Sequence, residues 1–343
     1  MKMKSRTISM LILAAATIMI GSATALATCT PTGFMRDGID MTAAMINPAG
    51  TVSGAVDATG CNIGVYYDAG HTGTVKNANI YGANYFGVVG NGTSGYVTVD
   101  ILSSNIHDIG DVPLNGTQHG VAIYFRAFSD IGGVTGRIVG NVITHYQKGG
   151  IVTNGPGSQA NVSDNTVTGE GHITYTAQNG IQIGYGASAS VMRNRVSGNS
   201  YIGFPGDGSA SGGIIVVGGP GYGTCPGGND CAYTVNTKVN DNVLTNNDVG
   251  VYLTNLSAAP YPLSPAPATA TNVKAVNNTI SDDECFNHSY QAGISDVGNN
   301  DKMINNTIFG PGYINCVSFY NPTGAAIDAD TSFTNRPKIH ANK

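Results

Sequence analysis

Short stretches of alternating apolar and polar side chains return along most of this chain, and they come in two kinds. One starts with Gly and runs into apolar residues: Gly87-Val88, Gly120-Val121-Ala122-Ile123, Gly150-Ile151, Gly180-Ile181-Gln182-Ile183, Gly213-Ile214-Ile215-Val216, Gly250-Val251-Tyr252-Leu253 and Gly293-Ile294. The other follows Val-x-x-Asn-x-(Ile/Val/Leu), with variants, at 138–143, 162–167, 191–196, 239–244, 274–280 and 303–308. A period of two is the signature of a strand. In Gly180-Ile181-Gln182-Ile183 the isoleucines face one way and the glutamine the other. Gly, Asn, Asp and Ser bound each stretch and turn the chain. No amphipathic run of helical length separates the strands, which excludes alternating α/β folds.

The two phrases alternate from about residue 64 to 324, and the Gly phrases follow one another at steps of 33, 30, 30, 33, 37 and 43 residues. A near-constant step marks a repeat architecture. One coil cannot bury its own apolar face, whereas stacked coils form a continuous core. The pattern predicts an all-β, single-domain parallel β-helix with capped ends. Equivalent positions then lie about 4.8 Å apart along the axis. Asn141, Asn165, Asn194, Asn242, Asn278 and Asn306 should therefore stack as a ladder, using the tolerance of Asn for left-handed backbone and its capacity to hydrogen-bond along a stack.

The stretch 145–199, HYQKGGIVTNGPGSQANVSDNTVTGEGHITYTAQNGIQIGYGASASVMRNRVSGN, resembles the right-handed parallel β-helix repeat proteins of bacteria, within the pectin-lyase-like superfamily. The resemblance covers most of the chain after the first 27 residues and implies a right-handed coil. Its members include polysaccharide lyases, glycoside hydrolases, epimerases, phage tailspikes and proteins without known activity, so fold does not supply function. The polygalacturonase-like order of motifs is not kept. Gln118-His119-Gly120 and Gly171-His172-Ile173 half-match a Gly-His-Gly motif, but Asp282-Asp283 follows both instead of preceding them.

Residues 1–27 read as a secretory signal: Lys2, Lys4 and Arg6, then an apolar middle, then Ala25-Leu26-Ala27 as the cleavage site. The alternative is a lipoprotein anchor at Cys29. Residues 28–60 are expected to form an N-terminal cap, with a short helix within 35–46. Residues 61–330 form the β-helix, carrying a Gly-rich loop at 218–234 and a Pro-rich loop at 257–271, and 331–343 form a polar tail. An even number of cysteines in an exported chain points to disulfides. Nearest-neighbour pairing gives Cys29–Cys61, Cys225–Cys231 and Cys285–Cys316.

Without the signal, 13 of the 16 Lys and Arg remain against 21 Asp and Glu, a net charge of −8. That balance argues against nucleic acid as a partner. No further apolar run is long enough to span a bilayer. Chemistry is expected in the turns that follow the Asn phrase and precede the next Gly phrase. Stacking puts these turns on one side, with His107, Asp108 and Asp111 in one, His145 and Lys148 in the next, then Glu170, His172 and Tyr175. His145, Lys148, Glu170, His172 and Tyr175 are the catalytic candidates. A lyase acting on a uronate needs a base, from His145, His172 or Tyr175, and a neutralising cation such as Lys148. A hydrolase needs two carboxyls, for which Glu170 with Asp108 or Asp111 qualifies. Asp282, Asp283 and Glu284 form the densest acidic run and are the candidate Ca2+ ligands. The chain lacks Trp, a common platform for sugars, but has 17 Tyr. The expected function is recognition of extracellular carbohydrate, as a polysaccharide lyase or glycoside hydrolase. The alternative is a non-catalytic cell-surface, structural or adhesin-like protein.

Overall fold

The computed structural model describes residues 28–129, 131–257, 266–329 and 334–343. The expected signal at 1–27 lies outside them, as do 258–265 of the Pro-rich loop and 330–333, where the body was expected to meet the tail. The chain winds as a parallel β-helix, right-handed as parallel crossovers are. Each Gly phrase supplies one strand and each Asn phrase supplies two. One lap runs Gly149–Asn154, Ser158–Ser163, Thr166–Ile173, and the next repeats it as Asn179–Gly184, Ser188–Met192, Arg195–Tyr201. Parallel pairing joins equivalent residues: Ile151 with Ile181, Ile181 with Ile214, Ile214 with Val251, Val251 with Ile294. Val162 likewise pairs with Val191, and Val191 with Val239. Among the described residues the Gly-phrase strands form an 11-stranded sheet and the Asn-phrase strands a 17-stranded one. Their inward side chains merge into one apolar column that runs from Val52 to Tyr313.

The Asn ladder forms as the spacing predicts. Asn141, Asn165, Asn194, Asn242, Asn278 and Asn306 are all at most 1% exposed. Each Nδ2 from Asn141 to Asn278 donates to the Oδ1 of the next Asn at 2.9–3.0 Å. Each also donates to a main-chain carbonyl of the preceding lap, as Asn242 does to Val191 O at 3.0 Å. The left-handed backbone sits one position earlier than the ladder: Gly140 (φ 69°), Asp164 (59°), Arg193 (55°), Asp241 (58°), Asn277 (57°) and Asn305 (56°). The corner thus separates two tasks, with one residue turning the chain and the next satisfying buried polar groups.

The recurring Gly has a different reason. A Cβ at Gly250 would lie 2.4 Å from Ile280 Cγ2 and 2.6 Å from Gly293 O. Gly213 and Gly180 are hemmed in the same way by Leu244 and Val196. Here the two sheets approach too closely for a side chain. Gly250→Val is expected to destabilise the protein by about 3 kcal/mol through overpacking, read as a lower denaturation midpoint with unchanged m-value. A neutral result would mean the sheets can separate locally.

Both ends differ from expectation. Residues 35–46 contain no helix. Thr30–Arg36 and Ile39–Ile46 pair as an antiparallel hairpin that opens the Gly-phrase sheet. The period-two burial of Met41 and Ala43 is the strand signal that overrides the helical reading. The cap is also shorter than 28–60, because Thr51–Asp57 already pairs in parallel with Thr72–Tyr81. At the other end Lys338–His340 is a strand paired to Lys302–Ile304, and Asn342 accepts from Asn306, so the last residues add a rung instead of hanging as a tail. The three disulfides pair as expected, with Cα–Cα distances of 5.3, 4.9 and 5.4 Å. Such bonds belong to an oxidising, extracellular-type setting. No helix among the described residues is long and apolar enough to cross a membrane.

Candidate functional site

The turns after the Asn-phrase strands do stack along one side. Asp108 (φ 54°) and His145 (φ 49°) occupy the corner that Gly82 (φ 82°) takes a lap earlier, and main-chain bonds from Gly82 N to Asp108 O and from Ile109 N to His145 O tie the three laps together. A non-Gly residue in this conformation is held there by its surroundings, and such positions recur at functional sites. The imidazole of His145 is half-exposed and lies between two carboxylates. Its Nδ1 is 3.2 Å from Glu170 Oε1, on the following lap, and its Nε2 is 3.7 Å from Asp108 Oδ1, on the preceding one. Asp108 Oδ2 is in turn 2.6 Å from His107 Nδ1.

Glu170 reaches His145 because its strand carries a bulge. Thr168 pairs with Ser197 and Gly171 with Asn199, so Gly169 and Glu170 stand opposite Gly198 alone. The extra residue bends the strand and re-aims its side chains. Gln178 Oε1 accepts the Glu170 N–H at 2.8 Å and holds the bulge. Tyr175 is close enough to Glu170 for that charge to act on it. Burial first, and then the Glu170 carboxylate, raise the phenol above its ordinary value. A raised phenol is less readily ionised and so less available as a base, which leaves Tyr175 better suited to packing or hydrogen bonding here.

Lys148 does not reach out as the expected neutralising cation. Its Nζ donates to Ala177 O at 2.5 Å, and burial lowers its pKa to about 8. The long side chain folds back to cover the turn below it instead of projecting toward a ligand. His172 belongs to a second cluster. It stacks on Phe286 at 3.8 Å between ring centroids, its Nδ1 is 2.8 Å from Ser200 Oγ, and its Nε2 is 3.6 Å from Glu284 Oε2. The 282–291 loop therefore folds back over the face. The pairing with Phe286 and Glu284 had no signal in the sequence, being set by a loop path across several laps.

A further His–Asp pair was not foreseen. The loop between His107 and Val121 closes on itself, bringing His119 Nε2 to 3.1 Å from Asp111 Oδ2. Thr117 and Asn115 donate to the same carboxylate oxygen at 2.7 and 2.9 Å. His119 is buried and stacks on Tyr85 at 3.9 Å. The enclosing Gly110 and Gly120 were the one available hint, since both adopt positive φ where the loop leaves and rejoins the coil.

The acidic run at 282–284 does not converge on a point. Asp282 is buried, accepts from Gln291 Nε2 at 2.8 Å, and is pushed by burial up to about 7. Asp283 and Glu284 are exposed, with Glu284 turned to His172. Among the described residues no group of three or more His, Cys, Asp or Glu side chains is arranged to hold a metal ion. Farther along the same face, Phe204 and Phe319 are exposed, and their loops meet where Tyr320 Oη donates to Gly206 O at 3.3 Å.

No family model matches the chain, and no curated protein matches it. Among solved structures it is similar to the crystal structure of Dettilon tailspike protein (gp208), with 15% identity and a TM-score of 0.38. The match covers 87% of this chain and 61% of the tailspike. At that level the similarity adds nothing to the β-helix established by the strand pairing above.

Proposed function

We propose that the turn-lined face binds an extracellular polysaccharide and that His145, between Asp108 and Glu170, is its acid–base group. The observation that supports this most is the half-exposed imidazole flanked on both ring edges by carboxylates from neighbouring laps. Such an arrangement fixes the orientation of the ring, with a carboxylate beside each of its nitrogens. A linear glycan lying along the axis would cross successive turns, meeting His145, the His172–Phe286 stack, and the exposed rings of Phe204 and Phe319. Aromatic rings supply broad contact area at low entropic cost.

The test is to incubate the protein with polyuronates and neutral glycans, with Ca2+ present. Absorbance of unsaturated ends reports a lyase, and new reducing ends without it report a hydrolase. His145→Ala is expected to cut turnover about 100-fold or more, as removal of a general acid–base group does. Glu170→Gln is expected to cut it less. Full activity in both variants would remove His145 from the chemistry. Absence of binding and cleavage on every glycan would leave the non-catalytic, structural reading.

A further inference from the structure

On the opposite side of the Asn ladder, four lysines stand directly above one another. Lys238 pairs in register with Lys274, Lys274 with Lys302, and Lys302 with Lys338. Two residues before each lysine is a left-handed corner residue: Asn236 (φ 58°), Asn272 (53°), Asn300 (62°) and Arg336 (54°). Lys238, Lys274 and Lys338 are exposed and Lys302 half-buried. With Asn236 and Asn272, the first three lysines line a recess of about 340 Å³. The strip holds five of the 13 Lys and Arg found outside residues 1–27, on a chain that is otherwise strongly acidic.

This arrangement costs the free protein stability, because like charges on adjacent strands repel. Compensation is missing locally. Arg137 and Arg193 pair with Asp100 and Asp164 at 2.7 and 2.8 Å, but among the described residues none of the four lysines has a carboxylate within 4.0 Å. The nearest acid along the Lys238 strand is Asp241, at the far corner, where it accepts from Asn277. Lysines often guard exposed sheet edges against pairing. That explanation fits Lys338, on the last strand, but not Lys238, Lys274 and Lys302, whose strands are paired on both sides.

We infer that the Lys238–Lys274–Lys302–Lys338 ladder is a binding site for an acidic polysaccharide carrying one carboxylate per sugar, laid along the helix axis. The coil step of about 4.8 Å is close to the length of one sugar ring in an extended chain, so carboxylates on the side facing the column recur at whole numbers of laps, within reach of the flexible lysines. Nucleic acid fits less well. Single strands are usually held by stacking on aromatic side chains as well as by positive charge, and the residues lining this recess include no aromatic ring. The inference shares with the proposed function only the class of ligand. The surface is separate from the turn face and binds without reacting.

The experiment titrates the mature chain with an oligogalacturonate of defined length, alongside a neutral dextran oligomer and oligo(dT). Oligogalacturonate is expected to bind, with affinity falling as salt rises. Lys274→Gln should weaken it about tenfold, the double change Lys238→Gln with Lys274→Gln should abolish it, and Lys274→Arg should retain it. Arg137→Gln, a cation already held by Asp100 and outside the column, should leave this binding unchanged, which ties the binding to the lysines. If cleavage is never seen yet lysine-dependent binding persists, only the turn-face reading fails. Absence of oligogalacturonate binding, tighter binding of oligo(dT), or loss of binding in Arg137→Gln with none in Lys274→Gln would overturn the lysine site. Thermal melting of the glutamine variants guards against misfolding, and they are expected to melt no lower than the parent because repulsion is relieved.

Discussion

Asn242→Ala is expected to destabilise the protein by about 3–5 kcal/mol, as is truncation of any interior rung of the ladder. The side chain has four partners, all buried. Its Nδ2 donates to Asn278 Oδ1 and Val191 O at 3.0 Å each, and its Oδ1 accepts from the Asn194 N–H at 2.9 Å and Asn194 Nδ2 at 3.0 Å. Alanine leaves those partners in a space closed to water, where an unmet donor or acceptor carries its full desolvation cost. Because adjacent rungs share bonds, damage spreads to the interfaces on either side, on which a solenoid depends. Asn342→Ala is the control. That rung is terminal and half-buried, so its loss should cost about 1 kcal/mol or less. Denaturant midpoints of the two variants decide the matter. Equal midpoints would mean that the ladder follows the fold without supporting it.

The second large effect concerns pH. Asp296 and Asp301 are both buried, and each has one oxygen without another partner, Asp296 Oδ1 and Asp301 Oδ2. Asp301 also accepts from Thr271 Oγ1 at 2.6 Å and from the Val273 N–H at 2.7 Å. Burial, then the Asp296 charge, push Asp301 up to about 8, and burial also raises Asp296, so the two carboxyls are expected to hold one proton between them at neutral pH. Burial, with smaller help from the Asp248 and Asp283 charges, raises Asp282 to about 7, and burial raises Asp248 to about 6. The sign follows from linkage. These carboxyls bind protons more tightly folded than unfolded, so the stability they contribute is complete below the unfolded value of 3.8 and is lost as pH rises toward about 8. The melting temperature should therefore fall across that window, opposite in direction to ordinary acid denaturation. In Asp301→Asn the Oδ1 bonds to Thr271 and Val273 remain, and the new amide can donate to Asp296. That variant should match the parent in acid and exceed it above pH ~8 by several kcal/mol, because a tenfold change in proton affinity is worth roughly 1.4 kcal/mol. Parallel melting profiles for parent and variant would show that the two carboxyls do not share a proton.

Much of the coil was legible because it obeys local rules. Alternation in Gly180-Ile181-Gln182-Ile183 marks a strand whatever surrounds it. The Asn phrase recurs because each lap needs the same amide in the same corner. The ends were read less well. The 35–46 segment is a hairpin strand whose two-residue period was too short to outweigh its helix-forming residues. The segment 338–343 carries a strand and a ladder Asn, but an isolated Lys-Ile-His has no period to detect. In the site, the turn register brought His145, Glu170 and Asp108 to one side. The bulge that turns Glu170 inward, the retreat of Lys148 onto Ala177, and the return of Phe286 over His172 were invisible. Loops of unequal length also hid the lysine column, because 238, 274, 302 and 338 fall at irregular intervals along the chain.

The residue pattern by itself determined that strands would form, that they would be short, and that equivalent positions would stack, since alternation, turn formers and a repeated phrase act within a single lap. The tertiary structure alone decided which charged groups meet. Those encounters link residues one or several laps apart, so they depend on the length and path of every loop between them, which no local propensity encodes.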